Sequence, residues 1–235
     1  MVSLVSIIIP TLNEADSIKQ TLEALKFSAR TVEIIVADGG SRDETVSIAE
    51  SFDVKVLRSS VSGRGAQMHA GAMAASGDVF WFLHADTLPP ARAVEKIIEA
   101  FADSTVVGGN FTIRFDGDGS AARFLSWLYP RLRRIGLIYG DSAIFVCRAV
   151  YETVGGFQPF PIFEDLDFVS RIKPYGKIVN LSATVETSSR RFAGRSFTLV
   201  FLRWTLLQIL YWLGVSPHAL GKFYLPFINR KKTDN

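Results

Sequence analysis

In F-W-F-L-H-A-D-T-L-P (residues 80–89) a run of large apolar residues that reads as a buried strand ends in His84, Asp86 and Thr87. A strand serving only the core would stop at a glycine or a turn, so a carboxylate at its exit needs a reason. A second acidic cluster, F-P-I-F-E-D-L-D-F (160–168), sets Glu164, Asp165 and Asp167 within four positions at a helix start, where the helix dipole alone would favour them. Two further apolar runs lead into polar loops, P-T-L-N-E (10–14) and A-D-G-G-S-R-D-E-T (37–45). Asp38 follows its run directly and precedes two glycines that let a ligand approach the backbone, which favours a ligand contact over a turn aspartate. Thr11 or Asn13 reads as a cap for a helix opening at Glu14, and Ser41 with Glu44 as a capping box. Arg64, between two glycines at a helix start, can reach a nucleotide phosphate or base. His69 on the same helix is as much a packing residue as a contact.

These residues need a scaffold, and the sequence supplies one. Short β-branched runs at Leu4–Pro10, Val32–Ala37, Val54–Leu57 and Val79–Leu83 alternate with helical patterns near 14–28, 42–51, 64–76 and 90–103. Such alternation predicts βαβ units and an α/β fold with a mostly parallel sheet, whose ligands bind beyond the carboxyl ends of the strands. The three polar loops should then open on one edge. Beyond residue 105 the reading gives strands at Val106–Phe115 and Ser142–Cys147 and a short helix to Gly155. It also gives a helical stretch over 120–136 interrupted at Pro130, and a helix from Glu164 to Ile172. No repeat or linker appears, so one catalytic domain over residues 1–195 is expected, followed by an apolar helical extension over 196–235.

The chain has 235 residues, is 48% hydrophobic and carries a formal charge of +3, with basic residues crowded into the last quarter from Arg190 to Lys232. That asymmetry suggests an anionic surface or ligand, and without a recognised motif no nucleic-acid partner is expected. The single Cys147 fits a reducing compartment, and the N-terminus lacks the marks of a signal peptide, so a cytoplasmic protein starting here is expected. The apolar window 197–213 contains Arg203 and Gln208 and falls short of a spanning helix. It is expected to pack on the domain, to join a homodimer, or to lie on the inner face of a membrane.

The ordered motifs S-I-I-I-P-T-L-N-E, V-A-D-G-G-S-R-D-E-T, G-D-V-F-W-F-L-H-A-D-T-L-P and F-E-D-L-D-F, over roughly residues 3–175, resemble the family 2 glycosyltransferases of the GT-A fold. The resemblance implies a Rossmann-like sheet binding a nucleotide-sugar, with a UDP-sugar the expected donor, and hexosyl transfer to a hydroxyl acceptor with inversion. It places Thr11 and Glu14 beside the nucleoside, Asp38 on the base, and Asp86 at the last aspartate of a D-x-D motif that holds Mn²⁺ or Mg²⁺. His84 stands where the family usually has the first acidic residue, and either ligates the ion, with Mn²⁺ then favoured, or hydrogen-bonds the ribose or a water. Asp165 resembles the catalytic base, with Phe160, Phe163 and Phe168 raising its pKa, and Glu164 is the reserve. Asp141 and Ser142 in G-D-S-A-I-F-V-C-R resemble donor-sugar or acceptor contacts, and their place at a strand start serves equally well. The tail with L-R-W-T-L-L-Q resembles a compact bacterial subgroup associated with arsenosugar biosynthesis. The rival readings are a sugar nucleotidyltransferase, which P-T-L-N-E does not favour, and a non-catalytic nucleotide-sugar-binding or membrane-associated scaffold.

Overall fold

The computed structural model describes residues 2–25, 32–59, 63–190 and 196–229. Strand β1 (Val5–Thr11) is buried at every position and lies between β2 (Val32–Asp38) and β4 (Val79–Phe82), parallel to both, with β3 (Lys55–Arg58) outside β2. Helices α1 (Ala15–Leu25), α2 (Thr45–Glu50) and α3 (Arg64–Met73) make the crossovers. The first half is therefore the expected parallel βαβ array, and the exits of β1, β2 and β4 share one edge.

The second half extends this sheet with mixed polarity. After β5 (Thr87–Leu88) and α4 (Ala93–Ala100) come β6 (Val106–Phe115), α5 (Ser120–Leu132), β7 (Phe145–Cys147), α6 (Arg148–Thr153), α7 (Glu164–Ile172) and β8 (Lys177–Thr187). The eight strands run in the order β3-β2-β1-β4-β7-β6-β8-β5, with β7 antiparallel to both its neighbours and β8 parallel to β6. Neither β8 nor β5 was expected. β8 alternates exposed and half-buried positions, so it gives no continuous apolar run.

Side-chain alternation along β1 divides the core. Ile7 and Ile9 face Ile18, Leu22, Trp81, Ile97 and Leu125 on one side, while Ile8 faces Met68, Phe80, Phe82 and Phe168 on the other. Helix α8 (Phe197–Trp212) buries Val200 in the first of these clusters. Its Leu207 joins Leu220 of α9 (Pro217–Asn229) over Ile162, Phe163 and Leu166. The apolar extension thus packs on the domain, and the expected boundary at 195 lies outside the described residues.

Several local expectations change. Helix α5 continues through Pro130, which removes one backbone donor near the end of the helix. The last turn then relaxes to a 3-10 turn at Arg133–Ile135, closed by Gly136 at φ 85°. The strand expected at Ser142–Cys147 begins at Phe145, because residues 140–142 form a 3-10 turn and Ala143 turns left-handed at φ 54°. The capping box at Ser41 and Glu44 does not form. Instead Asp43 accepts from the backbone of Thr45 at 3.0 Å and of Ala15 at 3.2 Å, so one aspartate serves both helix starts.

The junction between the halves depends on Gly108 and Gly109. A Cβ on Gly109 would stand 2.5 Å from the Val179 carbonyl oxygen and 2.4 Å from the Phe145 ring, and one on Gly108 would stand 2.6 Å from the Phe145 carbonyl oxygen. Because backbone oxygens of paired strands cannot step aside, Gly109→Ala should cost about 1–3 kcal/mol. A thermal melt should show a Tm several degrees lower, with the same circular dichroism before the transition; an unchanged Tm would mean that β6 is not clamped there.

Candidate active site

The parallel ladder sets Thr11 directly opposite Asp38 at the ends of β1 and β2. Thr11 Oγ1 donates to Asp38 Oδ1 at 3.1 Å, and Asp38, 2% exposed, also accepts from the backbone of Gly40 and Ser41 at 2.9 Å each and from the Ser41 hydroxyl at 2.5 Å. The carboxylate thus organises its own loop, as a turn aspartate does. Gln67, which the sequence gave no reason to single out, is buried on α3 and donates to the carbonyls of Thr11 at 2.6 Å and Ala37 at 2.9 Å. It ties both strand ends to α3 and fills the space beside Gly39, where a Cβ would meet its amide at 2.8 Å. His69 packs on Tyr151, with Nδ1 at 3.1 Å from the hydroxyl.

At the exit of β4 the polar residues part company. Asp86, at the rim, pairs with the Arg190 guanidinium at 3.1 Å, and the same guanidinium pairs with Glu14 and reaches the Ser17 hydroxyl at 3.2 Å. Burial lowers the Arg190 pKa, but Asp86 and Glu14 outweigh it and raise the pKa above the ordinary value. Arg191 and Arg195 lie outside the described residues. His84 is buried, with Nδ1 at 3.1 Å from Asp141 Oδ1, while Nε2 has no partner among the described residues. That carboxylate fixes the ring and leaves the other nitrogen free to meet a ligand.

The acidic cluster heads α7 and faces Arg64 at the start of α3. Phe163, left-handed at φ 64°, reverses the chain just before it, a conformation that costs a non-glycine residue about 1–2 kcal/mol. Arg64 Nε stands 2.5 Å from Glu164, with Nη1 at 3.8 Å from Asp141 and Nη2 at 4.0 Å from Asp165. Arg64, expected to reach a nucleotide phosphate or base, is the counter-ion of these three carboxylates. They outweigh the effect of burial and hold its pKa well above the ordinary value.

Asp165 is buried, accepting from the backbone of Gly140 at 2.6 Å and of Leu166 at 2.8 Å. Burial and then the adjacent Glu164 push its pKa up, Arg64 and the two backbone donors pull it back, and the balance leaves it at about 6. Of the three phenylalanines expected to raise it, Phe168 packs against Phe82, Tyr151 and Phe157, Phe163 against Tyr211, and Phe160 against His218. Burial remains the larger cause of the shift, with Phe163 lining the same cleft as Asp165, and the neighbouring carboxylate adds to it. Asp167 bonds Arg171 at 2.8 Å along the helix and stands apart from the cluster.

Gly140 joins these groups. A Cβ there would lie 3.4 Å from both Asp165 Oδ2 and His84 Nε2, so the free imidazole nitrogen and the poised carboxyl border one small space. Beside it opens a cleft of about 320 Å³ between α5, α7 and α8, with Asp165, Asp141 and Arg64 at its polar end. Among the described residues, no three of His, Cys, Asp and Glu converge to hold an ion. A hard cation on Asp86 would thus need oxygen ligands from whatever molecule it accompanies.

Comparison with known proteins agrees with this arrangement. Residues 6–150 match the profile of Glycosyl transferase family 2. Glycosyltransferase AglE of Haloferax volcanii is 29% identical over 172 residues, covering 67% of this chain and 56% of its own. Dolichol-phosphate mannosyltransferase of Pyrococcus furiosus is 26% identical, covering 65% and 45%. The chain thus spans about half the length of these curated relatives. Among solved structures, S. aureus TarS in complex with UDP-GlcNAc shares the fold at TM-score 0.65, 17% identity, 83% coverage of this chain and 60% of that one. Glucosyl-3-phosphoglycerate synthase of Mycobacterium tuberculosis, solved with Mn²⁺, UDP and glucosyl-3-phosphoglycerate, does so at TM-score 0.64 and 19% identity, covering 91% and 81%. Mannosyltransferase PcManGT of Pyrobaculum calidifontis, in complex with GDP-Man and Mn²⁺, does so at 0.64 and 20%, covering 88% and 61%. These neighbours establish the fold, a GT-A-like sheet flanked by helices; with more than half of its length matching the family profile, the chain belongs to glycosyl transferase family 2.

Proposed function

We propose that this chain is a metal-dependent inverting hexosyltransferase that takes a sugar from a nucleoside diphosphate donor, a UDP-sugar first among the candidates, to a hydroxyl acceptor. The observation that carries this reading is Asp165, a buried carboxyl held at about 6 at the junction of a polar strand edge and an apolar cleft. Neighbours of the same fold solved with UDP or GDP-Man and Mn²⁺ support the donor class. In the transfer, the acceptor oxygen bonds the anomeric carbon as the bond to the diphosphate oxygen breaks, and the electron pair leaves with the diphosphate. The acceptor proton passes to Asp165, whose raised pKa suits a base working near neutrality. Glu164 pairs with Arg64 and adds to the rise that burial gives that pKa.

On the donor side, Thr11, Glu14 and the Asp38 loop would border the nucleoside. Asp86, with the Nε2 lone pair of His84, would hold Mn²⁺ or Mg²⁺, and the bound ion would neutralise charge on the departing diphosphate. Arg190 is placed to exchange Asp86 for that diphosphate when the donor arrives. The finer assignment to the arsenosugar-associated subgroup rests on the L-R-W-T-L-L-Q tail. Leu199, Leu202 and Leu206 are exposed on α8, with Leu213 just beyond it. They support a face of a cytoplasmic protein that meets the inner surface of a membrane or a second subunit.

Calorimetric titration of UDP, GDP, CDP and dTDP, with and without Mn²⁺, should find one nucleotide that binds at least tenfold more tightly with the metal. Asp86→Ala should abolish that difference; failure of every nucleotide would leave the scaffold reading ahead. With the donor known, Asp165→Asn should lower kcat by about 10²–10⁴-fold with nucleotide binding retained.

The pH profile tests the base itself. A pKa raised to about 6 keeps Asp165 protonated and idle through the ordinary carboxylate range, so kcat/KM should fall as pH drops below about 6. Glu164→Gln removes the nearby negative charge and frees Arg64 for Asp165, which should move this limb to lower pH. Arg64→Gln removes the positive charge and should move it higher. A limb that neither variant shifts would exclude Asp165 as the base.

A further inference from the structure

The cleft beside Asp165 has a chemistry of its own. Leu125, Leu128 and Leu132 of α5 and Trp204, Ile209 and Trp212 of α8 form its walls, and its volume of about 320 Å³ is within the range of small-molecule sites. Two α8 residues break the apolar pattern: Thr205, whose hydroxyl donates to the Phe201 carbonyl at 2.9 Å along the helix, and Gln208. Gln208 is 7% exposed; its Oε1 accepts from the Tyr139 hydroxyl at 3.3 Å, while its Nε2 has no hydrogen-bond partner among the described residues. A buried amide donor in an apolar wall is costly unless something accepts from it, and both Gln208 and Asp165 border the same space. An oxygen between them could accept from Gln208 Nε2 and give its proton to Asp165.

The charge at the polar end narrows the acceptor further. Arg64 already faces Asp141, Glu164 and Asp165, so one cation stands against three carboxylates, and a phosphate or carboxylate head group would add repulsion where no other cation lines the cleft among the described residues. Tyr139, also at the cleft, has its pKa pushed up to about 12 by burial and by the Asp165 charge, so it stays a neutral hydroxyl.

We propose that the α5–α8 cleft is the acceptor site and takes an uncharged alcohol on an apolar, lipid-like body, with Gln208 Nε2 donating to the hydroxyl that Asp165 deprotonates. This rests on the glycosyl-transfer reading above and adds the substrate class. Titration with 1-decanol and with 1-decyl phosphate, read by intrinsic fluorescence because Trp204 and Trp212 line the cleft, tests it. Decanol should saturate a single site, and decyl phosphate should bind at least tenfold more weakly. Gln208→Leu should weaken decanol about fivefold to tenfold. Ile209→Arg, at a position 44% exposed and so tolerant of a long polar side chain, should abolish saturation while the nucleotide titration is unchanged. Equal or tighter binding of decyl phosphate would overturn the uncharged head group, and decanol uptake that is unsaturable or insensitive to Ile209→Arg would overturn the site. If a nucleotide binds with Mn²⁺ but decanol does not, only this proposal fails; if neither binds, the glycosyl-transfer reading fails with it.

Discussion

A single guanidinium faces three carboxylates at the centre of this molecule, and that imbalance organises the site around it. Arg64 comes from the start of α3, Asp141 from the turn before β7, and Glu164 and Asp165 from the start of α7. One cation cannot satisfy three anions taken out of water. The excess negative charge favours a bound proton, and the pKa of Asp165, buried and next to Glu164, rises to about 6. A carboxyl poised near neutrality thus follows from burial first and from the adjacent negative charge second. Burial, and then the Asp165 charge, push the Tyr139 hydroxyl up to about 12.

The cluster can assemble only because the sheet changes polarity in its middle. β7 runs antiparallel between β4 and β6, with Trp81 opposite Phe145. The residues before β7 therefore lie at the same edge as the residues after β4, and Asp141 meets His84. A fully parallel continuation would bring a strand exit there, separated from His84 by a helical crossover. The close approach of β6 to β7 and β8, which leaves no room for a side chain at Gly108 or Gly109, is what holds this insertion in register.

The parallel half of the fold was legible because its strands are continuous apolar runs and its helices carry a regular apolar stripe, so period and length agree. Its loops were legible as polar interruptions at strand ends. The second half was less so: β8 shows no unbroken apolar run, and β5 is two residues long. At the site, Asp165 and Glu164 were visible as acids at a helix start, and Asp86 as a carboxylate at a strand exit. What the sequence could not show is which charges meet across a hundred residues, as Arg64 and Glu164 do. Gln67 and Gln208 were hidden for a related reason. A buried amide has no pattern of its own, and its meaning lies in which carbonyl it reaches or, for Gln208, in the partner it lacks. Of the two, only Gln208 left a trace, as a break, with Arg203, in the apolar window 197–213.

Asp165 stands where two environments meet, and their division bears on how transfer avoids water. On the sheet edge, charged and polar groups hold one another, with Arg190 spanning Asp86 and Glu14; on the other side are aliphatic and indole walls. An apolar acceptor filling those walls would displace water from the carboxyl and strengthen both the repulsion from Glu164 and the attraction to Arg64. Loss of hydration and the like charge raise proton affinity, while Arg64 limits the rise. The base would thus hold protons more strongly once the cleft is filled, when the acceptor hydroxyl is at hand and solvent is not, so filling the cleft and activating the nucleophile become parts of one electrostatic event.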